Sequence, residues 1–590
     1  MDGLLTKSQV LVASGVLLFA YWAYRTYHDV IWRRTKQFGG WPQLQSSLAW
    51  GHAIKVNDRR QQLPPKCHID YTFQRIREDL GNPPVFLTDF RPFSYSMINI
   101  CSGFVAEQLT RSTKTNPYST LKSPTMRELT ALVGQQSILL HEGEAWKSLR
   151  RHLNPGFAPK HLLTLLPVIL DKTELFLNLL DEKARSGDMF ELHQLTVNLT
   201  FDIIGAVVAD ADFSAQEPDV SRQSPILRHF KDLLSTFKTP PGPGLVKLNV
   251  PLLVRRWFAM RRLDRAIHAH VRARFDAMRN ELGKRSATSS RSVLSLGLEG
   301  VAARESLDDA YVGMICDQLK TFAFAGHDTT SVALQWCVYE VSRRPAVLAS
   351  LRAELDSVFG TAGGGAAHPA AVRARLLAPG GEEVISRLPY MSAVVKETLR
   401  LYPPASTARQ PAPGTRLTLP DGTQTPPLDG LLVYVCHFMI QRDRDVYGAD
   451  ADDFVPERWL GNTNTHADDE TTDEKQQQQQ QQGNNNNNNA IPASAWRPFE
   501  RGPRNCIGQE LANIEFRVIL ACTLARYDFE KVGLGEAAKD SAGRPVLNAK
   551  GCYESKSELF NGMEVTAKPV DGTQMRVRLS ERARSKAHGI

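Results

Sequence analysis

The segment from Arg497 to Gly508 constrains this chain of 590 residues more than any other feature. It directly precedes a helical pattern of apolar residues, so Cys506 is predicted at a helix start. The free N–H groups and partial positive charge of a helix N-terminus lower the pKa of a thiol and donate hydrogen bonds to its sulfur. Gly502 and Gly508 permit close backbone approach, Arg504 offers fixed charge to an anionic cofactor group, and Phe499 can cover the sulfur. The pattern predicts a metal-binding thiolate.

A long helical pattern from about Asp308 to Arg343 carries a second group of candidate residues. The pairs Ala325-Gly326 and Thr329-Thr330 lie four residues apart, so a groove and hydroxyl groups share one helix face. Asp328 adds a carboxyl group beside Thr329. In the competing interpretation, Thr329 bonds to a carbonyl of its own helix, as threonines within helices commonly do.

Two further motifs place an arginine near another polar or aromatic side chain on a predicted helix. Glu397 and Arg400 are three residues apart, which in most proteins gives an exposed ion pair of little energetic weight. Trp146 and Arg150 are four apart and are both donors suited to a carboxylate. Taken alone, these two are more simply a core aromatic residue and a solvated charge.

In this order along the chain, the motifs resemble those of the cytochrome P450 family. The arrangement F-x-x-G-x-R-x-C-x-G from Phe499 to Gly508 is similar to the haem-binding loop of that family and is highly specific. The resemblance extends from about Gly39 to about Arg578 and implies the P450 fold, with the thiolate of Cys506 as axial ligand of a haem iron.

The resemblance also implies roles for the other candidate residues. Asp328 and Thr329 would deliver protons during oxygen activation. Glu397, Arg400 and Arg458 would form a buried structural network behind the haem. The remaining cofactor-binding residues would be Phe499, Gly502 and Gly508 in the loop, with Trp146, Arg150, Arg409 and Arg504 meeting the haem propionates.

Residues 1–38 depart from the composition of a soluble protein. The stretch from Val10 to Tyr24 carries no charge and is followed by Arg25, Arg33, Arg34 and Lys36. It is short for a full membrane span, and a cleaved signal peptide is the competing interpretation. The aromatic end and the basic flank favour a retained, single transmembrane helix with the catalytic domain in the cytosol. Together with the resemblance, this places the chain in the endoplasmic reticulum membrane.

Residues 39–590 are expected to form one haem-thiolate catalytic domain, mainly α-helical with a minor β portion. Residues 461–495 contain runs of glutamine and asparagine that cannot bury enough apolar area to order themselves, so we expect a disordered insertion. The net charge of +8 is spread along the chain. Since no compact basic and aromatic stripe occurs, no nucleic-acid partner is expected.

The activity implied by the resemblance is that of a monooxygenase, which uses dioxygen to hydroxylate, desaturate or oxidatively rearrange a small apolar substrate. Electrons would come from a separate NADPH-cytochrome P450 reductase, because the chain has no flavin or dinucleotide fingerprint. Stretches such as AGHDTTS are most similar to fungal members related to versicolorin desaturases, which suggests a polyketide-like secondary metabolite. The alternatives are a xenobiotic or fatty-acid hydroxylase, a haem-thiolate isomerase, and a non-enzymatic haem-binding protein.

Overall fold

A computed structural model of the chain describes residues 7–114, 116–237, 249–281, 292–299, 307–360, 365–461 and 491–587. Residues 462–490 of the predicted insertion at 461–495 therefore lie outside the described residues, while Ala493–Ala495 form one turn of 3-10 helix.

Helices form most of the described chain. Where apolar residues recur every three or four positions, as in residues 166–186, the segment is helical and its apolar face is buried. In chain order the α-helices are α1 (Lys7–Trp32), α2 (Ala53–Gln61), α3 (Ile69–Asp79), α4 (Gly103–Thr110), α5 (Thr130–Val133), α6 (Gly143–Leu153), α7 (Pro159–Leu163), α8 (Leu166–Ser186), α9 (Leu192–Ile204), α10 (Pro225–Ser235), α11 (Val250–Glu281), α12 (Val293–Glu299), α13 (Asp309–Ser342), α14 (Pro345–Phe359), α15 (Pro369–Leu377), α16 (Gly381–Ser386), α17 (Pro389–Leu401), α18 (His437–Ile440), α19 (Arg444–Tyr447), α20 (Gln509–Arg526) and α21 (Glu581–Ala587).

Short strands pair into small sheets in the described ranges. They are β1 (Val85–Asp89), β2 (Ser96–Ile100), β3 (Leu121–Lys122), β4 (Phe190–Glu191), β5 (Thr407–Gln410), β6 (Leu432–Val435), β7 (Tyr527–Lys531), β8 (Asn561–Met563), β9 (Ala567–Pro569) and β10 (Gln574–Leu579). One sheet has the order β1-β2-β6-β5-β3, a second has the order β4-β10-β7, and β8 and β9 form an antiparallel hairpin. Within the first sheet β2 and β6 run parallel, with Met97 opposite Leu432. The prediction of a mainly α fold with a minor β portion is confirmed.

Helix α13 crosses the main core and fixes the position of Asp328 and Thr329. It begins after Asp308, whose side chain caps the helix by accepting a hydrogen bond from the Ala310 N–H. It packs against α9, α11, α17 and α20. Near its C-terminal end, the fully buried Trp336 stacks on Tyr402 with ring centroids 3.7 Å apart. Because neighbours surround it, the helix is held in one position relative to α20, which follows the cysteine loop.

Most of the apolar side chains of the N-terminal helix α1 are exposed in the described structure, although Val30 near its end is buried. Leu11 is 73% exposed and Phe19 is 67% exposed. By length and hydropathy, the described stretch that could cross a membrane is instead Leu192–Ala209, of which 67% is buried. That stretch belongs to the core of the protein, because α9 packs against α13. The membrane anchor at the N-terminus therefore stays a prediction.

Candidate active site

The cysteine loop delivers the thiol of Cys506 to the start of α20. The backbone N–H of Cys506 donates to the carbonyl oxygen of Phe499 at 2.8 Å, which closes the loop. Gly508 then caps α20. Cys506 is the one exposed cysteine of the eight in the chain, yet its thiol is desolvated by surrounding protein. Protein therefore surrounds a thiol whose surface stays accessible.

Two opposing effects act on the pKa of Cys506. Burial raises the pKa of the thiol, and the backbone N–H of Gly508 and the charges of Arg150 and Lys122 lower it by a smaller amount. The expected lowering by the helix start is thus outweighed, because a thiolate without a counter-charge is disfavoured in a desolvated site. A metal cation at the sulfur would supply that counter-charge.

Gly502 is required by the shape of the cysteine loop. Its φ angle is +75°, and a Cβ atom there would overlap the carbonyl oxygen of Thr110 at the end of α4. The loop passes so close to α4 that no side chain fits.

Gly502→Ala is therefore expected to lower the free energy of unfolding by more than the roughly 1–3 kcal/mol typical of a strained φ angle, because the overlap adds to the strain. Urea unfolding followed by far-ultraviolet circular dichroism measures the change. Gly414→Ala is the matched control, since Gly414 has a φ angle of +77° and open space around it. Equal destabilisation by the two substitutions would contradict the role assigned to the contact with Thr110.

Arg504 connects the cysteine loop to the helix that carries Trp146. Its Nη1 atom donates to Oε2 of Glu142 at 2.6 Å, and its guanidinium group lies 4.6 Å from the centre of the Trp146 ring. Arg150, one turn further along α6, donates from Nη1 and Nη2 to the backbone and side-chain oxygens of Asn505, each at 2.9 Å. Both arginines thus lie close to Cys506 along the cysteine loop. Arg504 belongs to this loop, and Arg150 binds it from α6 through Asn505.

Arg409 and Lys122 add positive charge on neighbouring strands. Arg409 is fully buried and donates from Nη1 to the Thr120 carbonyl at 3.1 Å. In the described structure its Nε and Nη2 atoms have no hydrogen-bond partner, although Nη2 lies 3.6 Å from Oε2 of Glu500. Burial, together with repulsion by Arg409 and Arg504, lowers the pKa of Lys122 to about 7. A group carrying two carboxylates, such as haem, fits this excess of desolvated cationic groups.

Asp328 and Thr329 are neighbours on α13 but have different partners. The Thr329 hydroxyl donates to the Ala325 carbonyl at 2.8 Å, which is the geometry of the competing interpretation. The carboxylate of Asp328 is ion-paired with Lys568 at 3.1 Å and accepts a hydrogen bond from the Thr566 hydroxyl. The structure thus joins Asp328 to the β8–β9 hairpin rather than to Thr329.

Glu397, Arg400 and Arg458 are brought together behind the cysteine loop. Glu397 accepts from Nε and Nη2 of Arg400, both at 2.8 Å, and from Nε of Arg458 at 3.0 Å. The Trp459 indole N–H and the Val455 backbone N–H donate to the same carboxylate. The side chains of Glu397 and Arg400 are fully buried, so this is an internal network and not a surface ion pair.

Three residues that contact the site were not singled out in the sequence. Lys122 and Lys568 are single charges outside any motif. Glu500 lies within the cysteine loop, where Arg497, His437 and Arg409 offset the effect of burial and hold the pKa of its carboxyl well below the usual range. Only Glu500 could have been suspected, because it is next to the motif residues.

Comparison with known proteins agrees with this geometry. The family model described as cytochrome P450 matches residues 83–548. The chain is 33% identical to the cytochrome P450 monooxygenase acrF of Aspergillus aculeatus over 84% of its own length and 94% of that protein. It is 27% identical to the cytochrome P450 monooxygenase polC of Polytolypa hystricis, over 86% of this chain and 85% of the other.

The crystal structure of the cytochrome P450DA haem domain has the same fold, with a TM-score of 0.64 and 17% identity over 92% of this chain and 98% of that one. These matches do not confirm the narrower resemblance to versicolorin desaturases, which stays a prediction. They establish the fold and the enzyme class, and the chain belongs to the cytochrome P450 family of monooxygenases.

Proposed function

We propose that this monooxygenase takes electrons from a separate, membrane-bound NADPH-cytochrome P450 reductase. It uses them to hydroxylate, desaturate or oxidatively rearrange a small apolar substrate. The observation that carries the proposal is Cys506 itself, an exposed cysteine whose thiol is desolvated by the surrounding protein and lies close enough to Arg150 and Lys122 for their charges to act on it. Haem bound there would activate dioxygen, with the Cys506 thiolate donating electron density to the iron.

The cofactor would be held from two sides. Cys506 would ligate the iron, and the loop residues Phe499, Gly502 and Gly508 shape the backbone that presents the sulfur. The propionates would be bound by Trp146, Arg150, Arg409 and Arg504, to which we add Lys122 from the structure. The unpartnered Nε and Nη2 atoms of Arg409 support this assignment, since a buried guanidinium group needs acceptors for its N–H groups.

Proton delivery is assigned to Asp328 and Thr329. Both lie on α13, which packs against α9, α17 and α20. Asp328 is buried but reaches the β8–β9 hairpin, whose Lys568 is ion-paired on its outer side with the more exposed Glu564. A buried carboxyl group next in sequence to a hydroxyl group would supply the proton that the hydroxyl of Thr329 passes on.

The proposed location is the endoplasmic reticulum membrane, with α1 as the single span and the catalytic domain in the cytosol. The exposed apolar side chains of α1 support this, because lipid would cover them. Arg34, just after α1, is ion-paired with the buried Asp89 of β1 at 2.6 Å. This contact would hold the catalytic domain close to the membrane, where a membrane-bound reductase can reach it.

The substrate class is proposed from the resemblance to fungal enzymes of secondary metabolism, which suggests a polyketide-like compound. A xenobiotic or fatty-acid hydroxylase is the alternative with the same chemistry. A haem-thiolate isomerase or a non-enzymatic haem-binding protein would keep Cys506 but would not need external electrons.

The test is a reconstitution of the haem-loaded full-length chain with NADPH-cytochrome P450 reductase in lipid vesicles. We expect NADPH and dioxygen consumption that requires both proteins, and we expect a panel of apolar polyketides to yield products altered in oxygen or hydrogen content. No reductase-dependent NADPH consumption with any compound would favour the isomerase or the haem-binding protein.

Thr329→Ala is expected to leave haem bound and to release most of the electrons from NADPH as hydrogen peroxide, because the hydroxyl that passes protons is gone. The ratio of peroxide formed to NADPH consumed measures this effect. Thr321→Ala is the matched control, since Thr321 lies on the same helix and also donates to the carbonyl four residues earlier, at 2.6 Å. Unchanged coupling in the Thr329 variant would remove its assigned role.

A further inference from the structure

A cleft lies at the far end of α20 from Cys506. Its volume is about 440 Å³, which falls within the range of roughly 300–1,000 Å³ that is usual for sites of small molecules. Helix α20 begins at Gln509, and Cys522 on this helix lines the cleft. Residues 509 and 522 of a helix are about 20 Å apart along its axis, so the cleft is separate from the cysteine loop.

The inner part of the cleft is apolar. Helices α8, α15 and α20 pack against one another, and α21 packs against α20. Leu170 and Leu177 of α8 and Cys522 and Ala525 of α20 line the cleft and are all buried. Ala370 of α15 also lines it and is exposed, so its short side chain leaves room for a ligand. A molecule that enters the cleft thus meets an apolar surface on two helices.

Arginine side chains line the cleft on three different helices. They are Arg373 on α15, Arg526 on α20 and Arg582 on α21. The acidic residues that line the cleft, Glu174 and Asp181, both belong to α8, so positive charge is in excess. An apolar space bordered by guanidinium groups fits a molecule with an apolar body and one anionic group.

Two of these arginines keep N–H groups that bind no acceptor among the described residues. Arg526 donates from Nε and Nη2 to the two carboxylate oxygens of Asp181, which leaves its Nη1 atom available. Arg373 donates from Nη2 to Asp171 at 2.6 Å and lies 3.7 Å from Glu174 through Nη1, which leaves its Nε atom available. Such N–H groups form charge-assisted hydrogen bonds with a carboxylate.

We propose that this cleft is a second binding site, which takes a small amphipathic monocarboxylate such as a medium-chain fatty acid. Its hydrocarbon chain lies against Leu170 and Leu177, and its carboxylate binds Arg373 and Arg526. The haem takes no part in this binding, so the inference does not depend on the proposed function.

The first test titrates dodecanoate, below its micelle concentration, into the haem-loaded full-length chain by isothermal titration calorimetry while the Soret band is recorded. We expect saturable binding that leaves the Soret band unchanged, because the cleft is remote from the cysteine loop. Ala370→Trp fills the cleft from α15 and should weaken this binding about tenfold or more. Ala374→Trp is the matched control, since Ala374 is also exposed on α15 but does not line the cleft, and it should bind as wild type does.

The second test asks whether the arginines recognise the carboxylate. Arg373→Gln is expected to weaken dodecanoate binding about tenfold, because a charge-assisted hydrogen bond is lost, and to leave the binding of dodecan-1-ol unchanged. Arg373→Lys should restore affinity for dodecanoate in part. The acidic partners of Arg373, Asp171 and Glu174, have side chains that are 57% and 63% exposed, so the variants should fold normally.

Equal affinity of wild type and folded Ala370→Trp for dodecanoate would overturn the inference, as would equal losses of dodecanoate and dodecan-1-ol binding in Arg373→Gln. Binding that always shifts the Soret band would place dodecanoate at the haem and would also overturn it. The chain ends at residue 590, close in sequence to Arg582. Binding that appears only after residues 588–590 are removed would make the end of the chain the occupant of the cleft, and the inference would fail.

Discussion

Replacing Cys506 with alanine is expected to abolish the strongly red-shifted Soret band of the purified, dithionite-reduced protein under carbon monoxide, together with all oxygenation. The band depends on a thiolate that donates electron density to the haem iron. Every other cysteine is buried within the protein, so none can replace Cys506 without rearrangement. Absorption spectra of wild type and variant, at equal haem content, provide the measurement.

Cys522→Ala is the matched control for this prediction. Cys522 lies on α20, the helix that follows Cys506, but it is buried in the core, where burial raises the pKa of its thiol to about 12. It behaves as a small apolar residue, so the variant should keep the red-shifted band. A red-shifted band that survives in folded, haem-containing Cys506→Ala protein would contradict the assignment of the ligand.

The parts of the site that the sequence predicted are those in which the necessary residues are close along the chain. The cysteine loop could be predicted from the sequence because Phe499, Gly502 and Cys506 lie in one short segment, directly before the helix that follows it. The ion pair between Glu397 and Arg400 could be predicted from their spacing of three residues on a helix. Its burial does not follow from that spacing and was expected only from the family resemblance, since the fully buried state depends on α17 packing against the turn at Pro456–Trp459.

The parts that the sequence did not predict involve contacts between distant segments. Lys568 is 240 positions from Asp328, and Glu142 is 362 positions from Arg504. No local pattern encodes such a pair, because the fold decides which residues meet. The net direction of the pKa shift of Cys506 could not be predicted for the same reason: the helix start that lowers the pKa is visible in the sequence, but the desolvation that outweighs it follows from packing.

Hydropathy is a further case in which the sequence alone does not determine the surroundings of a segment. The apolar stretch Leu192–Ala209 satisfies the length and composition of a membrane span, yet 67% of it is buried within the protein. The stretch from Val10 to Tyr24 is exposed along α1. Composition alone therefore does not distinguish an apolar helix that protein covers from one that is left exposed.

Glu397→Gln is expected to destabilise the protein by about 3–5 kcal/mol and to cause loss of haem, because it leaves buried positive charge without a counter-charge. The carboxylate accepts five hydrogen bonds, and glutamine would turn an N–H₂ group toward donors. The donors are Nε and Nη2 of Arg400, Nε of Arg458, Nε1 of Trp459 and the backbone N–H of Val455. Urea unfolding and the haem content after gel filtration measure both effects.

Glu383→Gln is the matched control, and it separates burial from the ion pair itself. Glu383 on α16 is paired with Arg387 at 2.8 Å, the same distance as the closest approach of Arg400 to Glu397. The side chains of Glu383 and Arg387 are 67% and 73% exposed, so water solvates both charges and the loss should be about 0–1 kcal/mol. Similar losses of unfolding free energy in the two variants would mean that the Glu397 network stabilises the protein no more than a surface ion pair does. A much larger loss in Glu397→Gln would show that the desolvated Arg400 and Arg458 need the carboxylate of Glu397 as their counter-charge.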